Sequence, residues 1–351
     1  MQLAQPRPVV RPPALRRGGR IAVVSPSWGG PHMLPAAYGR ALDVLEASGY
    51  RPSPMPHAAG RRNDWTAASA RQRAEDINQA FADPGVDAVL CTIGGNHSAQ
   101  VLPHLDFGTI GRNPKPFCGY SDITALHHGI HSATGLVTFY GPAVIPQWGV
   151  VGGPLPYSVD HFERVLGGTG APGAVPRASE EVDDLDFGRS ERLGEPLRRR
   201  PATARLALRP GRGQGPLLAG CLPSARTVLA TPWQPDYAGR VLVLDLPAAP
   251  YSVADADADL THLRLAGCLD RLAGLVVCRA RGFSAGDEAA LHDVVAEQTA
   301  GTRYPVVVRF EGGHSDPMPT WPIGVRAVID GDDLAIVEPT VRDGVPQSGR
   351  S

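Results

Sequence analysis

The sequence predicts an α/β protein with two domains. An N-terminal domain is built on a doubly wound, mostly parallel sheet, and a long loop joins it to a smaller C-terminal α/β domain. Three observations support this prediction. The chain has 351 residues, 42% of them hydrophobic, which is enough for a sizeable core in each of two domains. Short apolar segments alternate with segments of helical period, which is typical of parallel β–α units. Between residues 167 and 215 this pattern gives way to Gly, Pro and charged residues.

The N-terminal domain is predicted over residues 19–166, after a disordered tail over 1–18 that is rich in Pro and Arg. Its predicted elements are strands over 20–27, 86–93, 116–119 and 136–140 and helices over 36–48, 69–82, 96–102 and 122–134. Catalytic groups of such sheets gather at the carboxyl ends of the strands. We therefore look for the functional site there.

The segment 167–215 is predicted to be a linker or a long surface loop, and the C-terminal domain is predicted over 216–340, followed by a tail over 341–351. The predicted helices of this domain cover 217–230, 259–269 and 285–299, and its strands cover 239–246, 272–277, 305–309, 324–329 and 334–337. Loops as long as the linker are often functional.

Composition excludes several classes of partner. The net charge is −1, so we expect neither a nucleic-acid polymer nor an anionic membrane as partner. No apolar run reaches the roughly 18–20 residues of a membrane span, and the N-terminus lacks an apolar signal core. The five cysteines show no CxxC spacing and are expected to be buried free thiols. These observations predict a cytoplasmic protein.

Ser121 lies where a short buried strand turns into a helix, in the sequence Phe117-Cys118-Gly119-Tyr120-Ser121-Asp122. A hydroxyl at this corner points out of the sheet, beside the first free N–H groups of a helix. Those groups and the helix dipole favour negative charge. The turn could therefore supply a nucleophile and part of an oxyanion hole. The alternative is an ordinary N-cap, because serine is a preferred cap residue.

A hydroxyl nucleophile needs a base and a group that orients the base. His314 follows a predicted strand through two glycines, and an imidazole there can accept and return a proton. Asp245 ends an apolar strand, where an unpaired carboxylate would be costly and a histidine partner would remove the cost. Taken singly, His314 could be a loop histidine and Asp245 a strand-end cap or turn residue.

The remaining clusters predict no cofactor and no metal. Gly94-Gly95 could bring bare N–H groups to a phosphate or to an oxyanion, but it lacks the Walker lysine and the GxGxxG spacing. His127, His128 and His131 lie on one predicted helix without a carboxylate or cysteine to complete a zinc site. The segment 255–266 does not match a calcium loop, and we interpret Asp259 as a helix N-cap.

Taken together, three segments resemble the LD-carboxypeptidase family of serine peptidases. They are Cys91–Ser98, Gly119–Leu126 and Thr134–Pro142. Their sequences are closer to those of the microcin C self-immunity branch than to those of the murein-recycling branch. The resemblance extends over about residues 18–340, with a gap over the linker.

The resemblance implies a Ser–His–Glu triad, which maps onto Ser121, His314 and Asp245. It also implies an oxyanion hole made by the backbone N–H groups of Gly95 and Asp122, and a homodimer. We assign Gly94, Asn96 and Tyr120 to substrate binding.

This chain departs from the family pattern at three places. Asp245 stands where the family has Glu, Ala219-Gly220-Cys221 stands where Gly-Gly-Asn is frequent, and residues 167–215 contain no Trp. The immunity branch uses a linker aromatic residue to hold the nucleotide base, so the third departure weakens the case for nucleotide recognition.

These expectations combine into one predicted activity. The protein is expected to cleave an amide bond in a small peptide or in a peptidyl- or aminoacyl-nucleotide conjugate. The alternatives are a murein tetrapeptide L,D-carboxypeptidase and a catalytically weak protein that binds a small ligand on the same scaffold.

Overall fold

The computed structural model describes residues 7–182, 191 and 194–344, which form two large β-sheets, a two-stranded ribbon and surrounding helices. Within these residues the strands are β1 Arg20–Val24, β2 Arg51–Pro54, β3 Ala88–Cys91, β4 Phe117–Gly119, β5 Thr138–Tyr140, β6 Gly173–Ala174, β7 Glu180–Val182, β8 Arg199–Pro201, β9 Leu206–Arg209, β10 Arg212–Cys221, β11 Val241–Asp245, β12 Gly274–Cys278, β13 Val306–Phe310, β14 Trp321–Ile323, β15 Arg326–Asp330 and β16 Asp333–Ile336. The α-helices are α1 Gly30–Met33, α2 Pro35–Ala47, α3 Ala70–Ala82, α4 Phe107–Arg112, α5 Thr124–Thr134, α6 Pro156–Gly167, α7 Leu222–Ala225, α8 Val253–Leu265 and α9 Ala285–Gln298. Short 3-10 turns cover Ser98–His104, Ser121–Ile123 and Arg226–Val228, and a π turn covers Val144–Trp148.

The first sheet has the strand order β14-β5-β4-β3-β1-β2, and all its strands are parallel except β14. Side chains of β1 alternate between two hydrophobic clusters. Ile21 and Val23 pack in the cluster that contains residues of α2 and α6, and Ala22 and Val24 pack in the cluster that contains residues of α3 and α5. Helices therefore cover both faces of the sheet, which confirms the predicted doubly wound architecture.

The second sheet has the order β6-β16-β15-β10-β11-β12-β13-β9. Strands β10 to β13 are parallel, and the flanking strands pair antiparallel. The predicted linker over 167–215 contributes β6, β9 and the start of β10 to this sheet, and it also forms the ribbon of β7 and β8. Its residues 183–190 and 192–193 lie outside the described residues.

Two predictions in the C-terminal half are wrong. The helix predicted over 217–230 is instead the end of β10, followed by the single turn α7, because a short apolar run has no period that separates a buried strand from a buried helix. Asp259 is not an N-cap. Ser252 caps α8, and Asp259 lies inside that helix, 2.7 Å from the guanidinium of Arg226.

Both predicted tails are packed over their described parts, so the prediction of a disordered tail is wrong from residue 7 onward. Val10 pairs with Leu136 beside β5, and Leu15 is buried in the core. Pro13 pairs with Arg342, so the first residues of the predicted C-terminal tail are held as well. Apolar burial and backbone pairing offset the entropy lost on ordering these segments. Residues 1–6 and 345–351 lie outside the described residues.

The two sheets meet at the carboxyl ends of β4, β11 and β13. Strand β14 crosses from the C-terminal half to the first sheet, where Trp321 lies opposite Tyr140 of β5. At the same boundary the backbone N–H of Cys221 donates to Thr124 Oγ1 at 2.8 Å. These contacts hold the two halves of the chain against one another.

The five cysteines are buried and form no disulfide, which agrees with the expected free thiols. In the described ranges, no helix has both the length and the apolar character that crossing a bilayer requires.

Candidate active site

Ser121 occupies a sharp turn between β4 and α5. Its φ of 61° lies in the left-handed region, which is strained for a residue with a β-carbon and is characteristic of functional turns. The residue in the cap position of the 3-10 turn is Tyr120 and not Ser121, and the Tyr120 side chain makes no cap hydrogen bond. Instead, Ser121 Oγ lies 3.0 Å from His314 Nε2. The turn therefore presents the hydroxyl to the other half of the molecule, as a nucleophile elbow does.

His314 reaches this position through two glycines that follow β13. Gly313 has a φ of 72°, and a β-carbon built on it would lie 1.8 Å from Asp245 Oδ1. Only glycine permits this close approach. The backbone N–H of His314 then donates to Asp245 Oδ1 at 3.0 Å. The loop after β13 is thus fastened to the end of β11 at the residue that carries the imidazole.

Asp245 is 1% exposed and faces the other ring nitrogen of the histidine. Its Oδ2 lies 2.9 Å from His314 Nδ1, within ion-pair distance, but the ring N–H is not aligned with the carboxylate as a hydrogen bond requires. The same Oδ2 accepts a hydrogen bond from the phenol of Tyr140 at 2.5 Å. Asp245, although shorter than the Glu of the family pattern, therefore reaches His314. The two side chains are less well aligned than in a hydrogen-bonded pair.

The loop after β3 lies against the Ser121 turn. A β-carbon on Gly94 would lie 2.7 Å from Ser121 Cβ and 3.4 Å from the backbone N of Asp122, so glycine is needed at this contact. The Asp122 carboxylate accepts hydrogen bonds from Ser27 Oγ at 2.5 Å and from the N–H of Ser98 at 2.7 Å. This network fixes the two loops relative to each other.

Gly95, Asn96 and Tyr120 are among the residues expected to stabilise the oxyanion or to bind substrate. Gly95 has a φ of 141°, and its N–H donates no hydrogen bond to another of the described residues. Asn96 follows it and is exposed. Tyr120 is buried, and its ring centroid lies 5.2 Å from that of His314. Tyr120 therefore lies beside His314, and Gly95 follows the glycine that contacts Ser121.

A cavity of about 200 Å³ opens beside His314. Its lining is Leu34, Ile93, Tyr120, Ile145, Pro146, Gln147, Leu197, Arg281, His314 and Asp316. Burial raises the pKa of Asp316 to about 6, while the positive charge of Arg281 opposes this shift. The cavity is therefore apolar over most of its wall and carries one cation and one titrating acid.

Sequence reasoning missed Tyr140, Arg281 and Asp316. Tyr140 resembles an ordinary core aromatic at the end of a strand, and no local pattern shows that its hydroxyl meets Asp245. Asp316 follows His314 by two residues, and that proximity was the one available signal.

The helix-face interpretation of the three histidines agrees with the structure. His127, His128 and His131 are buried in α5, and each places a ring nitrogen near a backbone carbonyl oxygen. Burial lowers their pKa values to about 4, 3 and 4, so they are neutral core residues at neutral pH.

One group of metal-ligating side chains occurs in the described part of the chain, made of Cys221, Asp245 and His314 with ligand atoms within 4.8 Å of one another. Asp245 and His314 already contact Tyr140 and Ser121. Burial raises the pKa of the Cys221 thiol, and the charge of Asp245 adds to this shift.

Both halves of the chain are similar to domains of one known family. Residues 21–141 match the LD-carboxypeptidase N-terminal domain, and residues 214–329 match the LD-carboxypeptidase C-terminal domain. A Streptomyces coelicolor protein that bears a carboxypeptidase name is 33% identical over 339 residues, which cover 93% of this chain and 95% of that protein. The murein tetrapeptide carboxypeptidase of Pseudomonas aeruginosa is 26% identical over 332 residues, covering 90% of this chain and 94% of its own.

Among solved structures, MccF in complex with glutamyl sulfamoyl guanosine superposes with a TM-score of 0.86 at 25% sequence identity. The match covers 94% of this chain and 99% of that one. Because the two family models together span most of the chain, and the Streptomyces coelicolor relative aligns over nearly its whole length, this protein belongs to the LD-carboxypeptidase family of serine peptidases.

Proposed function

We propose that Ser121, His314 and Asp245 are a catalytic triad that cleaves amide bonds in small peptides or in peptidyl- or aminoacyl-nucleotide conjugates. The observation that carries the proposal is the 3.0 Å approach of Ser121 Oγ to His314 Nε2, between residues 193 positions apart in the chain. A strained serine and a histidine from separate sheets meet at hydrogen-bond distance, which is the geometry that proton transfer between them requires.

In the acylation step, His314 Nε2 accepts the proton of Ser121 Oγ as the oxygen attacks the substrate carbonyl. The imidazolium then donates this proton to the leaving amine, and an acyl-enzyme ester remains on Ser121. In the second step His314 accepts a proton from water, the water oxygen attacks the ester, and the proton returns to Ser121. Asp245 stays ionised and stabilises the imidazolium in both steps.

The backbone N–H groups of Gly95 and Asp122 stabilise the oxyanion in this proposal. The N–H of Ser121 itself donates to Tyr140 Oη at 3.0 Å and is therefore engaged. The Asp122 N–H lies beside Gly94, on the side of the turn that faces the β3 loop. Loss of one such donor typically costs about 3–4 kcal/mol of transition-state stabilisation.

The cavity beside His314 is suited to a small substrate group that carries charge. Arg281 is suited to a carboxylate and Asp316 to an ammonium group, and the intervening wall is apolar. Solved complexes of MccF contain glutamyl sulfamoyl guanosine and aspartyl sulfamoyl adenosine. We infer that this chain also recognises an aminoacyl group. The described linker residues offer no tryptophan to stack on a base, so we place specificity in the aminoacyl part.

The test is hydrolysis of a substrate panel that contains aminoacyl-sulfamoyl adenylates and murein tetrapeptides. We expect the wild type to release the amine product from at least one aminoacyl conjugate, and Ser121→Ala to reduce that rate by at least about 1,000-fold. Ser132→Ala is the matched control, because Ser132 lies farther along α5 and away from the triad.

Equal rates in wild type and Ser121→Ala would overturn the proposed mechanism. Cleavage of murein tetrapeptides alone would assign the protein to the murein reaction that the Pseudomonas aeruginosa relative is named for. Tight binding of panel members without turnover would instead identify a ligand-binding protein on this scaffold.

A further inference from the structure

Tyr140 connects the nucleophile turn to the triad acid through one oxygen atom. Its Oη accepts the backbone N–H of Ser121 at 3.0 Å and donates to Asp245 Oδ2 at 2.5 Å. Tyr140 is 1% exposed, so water does not compete for either contact. The phenol therefore lies at the boundary between the two halves of the protein and touches a triad residue from each.

The direction of these hydrogen bonds is set by the protonation state of the phenol. Burial and the negative charge of Asp245 raise the pKa of Tyr140 well above its ordinary value. The hydroxyl thus keeps its single proton, which is directed to the carboxylate, while an oxygen lone pair receives the amide of Ser121. Hydrogen bonds to an ionised acceptor are the stronger kind.

The backbone around Tyr140 is held on both sides. Within the first sheet, Tyr140 lies opposite Gly119 of β4 and opposite Trp321 of β14. Its ring meets the ring of Tyr120 edge-on, with centroids 6.3 Å apart. The phenol oxygen is consequently placed by the sheet and not by a surface loop, which is the condition for an effective support of a catalytic group.

We propose that Tyr140 is a positioning residue that orients the Asp245 carboxylate and holds the Ser121 turn. This inference rests on the proposed function, because it assigns Asp245 and His314 to one triad. Such support is needed because the ring N–H of His314 is not aligned with the Asp245 carboxylate. The orientation of the carboxylate therefore depends on the other donors that reach it.

Two physical consequences follow for a protein that lacks the phenol hydroxyl. The carboxylate loses a donor and becomes a stronger base, and the positive end of the O–H dipole no longer lies near the imidazolium. Both changes stabilise the protonated form of His314 and raise its pKa. In addition, the N–H of Ser121 loses its acceptor, so the strained turn loses one of its restraints.

The experiment compares wild type, Tyr140→Phe and Tyr237→Phe. Tyr237 is a matched control because it is also buried, and its hydroxyl has no hydrogen-bond partner among the described residues. The His314 pKa is measured by NMR titration of the histidine ring signals, assigned by their loss in His314→Gln. We expect this pKa to rise by roughly 0.5–1 in Tyr140→Phe and to stay at the wild-type value in Tyr237→Phe.

Kinetics provide a second readout on the best substrate of the panel. Tyr140→Phe should lower kcat by roughly 10- to 100-fold, leave KM within about 2-fold, and move the acidic limb of the kcat/KM profile to higher pH by the same amount as the NMR pKa. A purely structural role would lower the folded fraction without moving that limb. An unchanged His314 pKa in folded Tyr140→Phe would overturn the inference.

A second variant covers the case in which Tyr140→Phe does not fold. Replacing Tyr140 by a ring-fluorinated tyrosine keeps the hydroxyl but makes it a stronger donor, so the His314 pKa should fall below the wild-type value. A pKa that stays constant or rises would contradict the inference. The NMR reading does not depend on turnover. Failure of the proposed hydrolysis is seen separately, when Ser121→Ala retains the wild-type rate.

Discussion

The backbone of Gly313 lies directly against the carboxylate of Asp245, with the built β-carbon position 1.8 Å from Oδ1. This contact joins the loop after β13 to the end of β11 and brings the amide of His314 within 3.0 Å of the same oxygen. The positions of His314 and Asp245, the base and the acid of the proposed triad, therefore depend on the absence of a β-carbon at Gly313.

Gly313→Ala is expected to reduce activity by at least about 100-fold, because the methyl group must displace either Asp245 or the loop that carries His314. The positive φ adds a strain of about 1 kcal/mol to the folded state. The measurements are kcat/KM on the panel substrate and the free energy of unfolding from urea titration.

Gly331→Ala separates these two effects. Gly331 has a similar φ of 64°, but nothing lies within 4 Å of its built β-carbon. This variant should lose a comparable amount of stability and keep its activity. If both variants retained wild-type activity, the close approach of Gly313 would not matter for catalysis.

Asp316→Asn is expected to stabilise the protein at alkaline pH. Burial raises the folded-state pKa of Asp316 to about 6 from an ordinary value of 3.8, so the folded protein binds this proton more tightly than the unfolded chain. The stability of the wild type therefore falls as pH rises from about 4 to 6, and the cost persists above pH 6. The variant removes this cost.

The measurement is the free energy of unfolding of Asp316→Asn minus that of the wild type. We expect this difference to be larger at pH 8 than at pH 4 by roughly 1–3 kcal/mol. Asp64→Asn, at an exposed position, serves as the control and should show no such dependence. A difference between Asp316→Asn and wild type that is equal at the two pH values would show that the carboxyl does not titrate in this way.

His128→Gln is expected to reduce the acid sensitivity of the fold. Burial lowers the pKa of His128 to about 3, and its Nε2 lies 3.1 Å from the backbone oxygen of Ala219 in β10. Below pH 6.5 the unfolded chain protonates this histidine while the folded protein does not. Its contribution to stability is thus complete above pH 6.5 and is lost as pH falls toward 3.

Glutamine can still donate to the Ala219 carbonyl but takes up no proton. As pH falls from about 6 to 4, the free energy of unfolding of the variant should therefore decrease less steeply than that of the wild type. The expected difference between the two slopes is about 1.4 kcal/mol per pH unit. His262→Gln, at an exposed position of α8, should leave the slope unchanged. A wild-type slope in His128→Gln would show that His128 is protonated in the folded state.

Local sequence was most informative where one short segment contains both the structural and the chemical signal. The Ser121 turn is such a segment, because an apolar run, a sharp turn and a helix follow each other within about fifteen residues. Strand β11 with its terminal acid is another. In contrast, β2 has the sequence Arg-Pro-Ser-Pro, which carries no strand signal and is tolerated because β2 is an edge strand.

The misassigned elements have a common cause. Residues 217–221 are a strand because β11 pairs with them and β15 pairs with the preceding residues 212–216 of the same strand, and the sequence of β10 does not show that these partners exist. The N-terminal segment is ordered because Leu136 and Arg342 pair with it. Long-range pairing overrides local propensity in each case.

The sequence by itself determined the α/β class, the strand-end positions of Ser121 and Asp245, and the loop position of His314, because these follow from hydrophobic period, glycine placement and local order. Only the tertiary structure decided which atoms meet: Ser121 Oγ with His314 Nε2, the Gly313 backbone with Asp245, and the Tyr140 phenol with both halves of the site. The physical reason is that hydrogen bonds act over about 3 Å. Groups separated by up to 193 positions in the chain come within that range only when the sheets have packed.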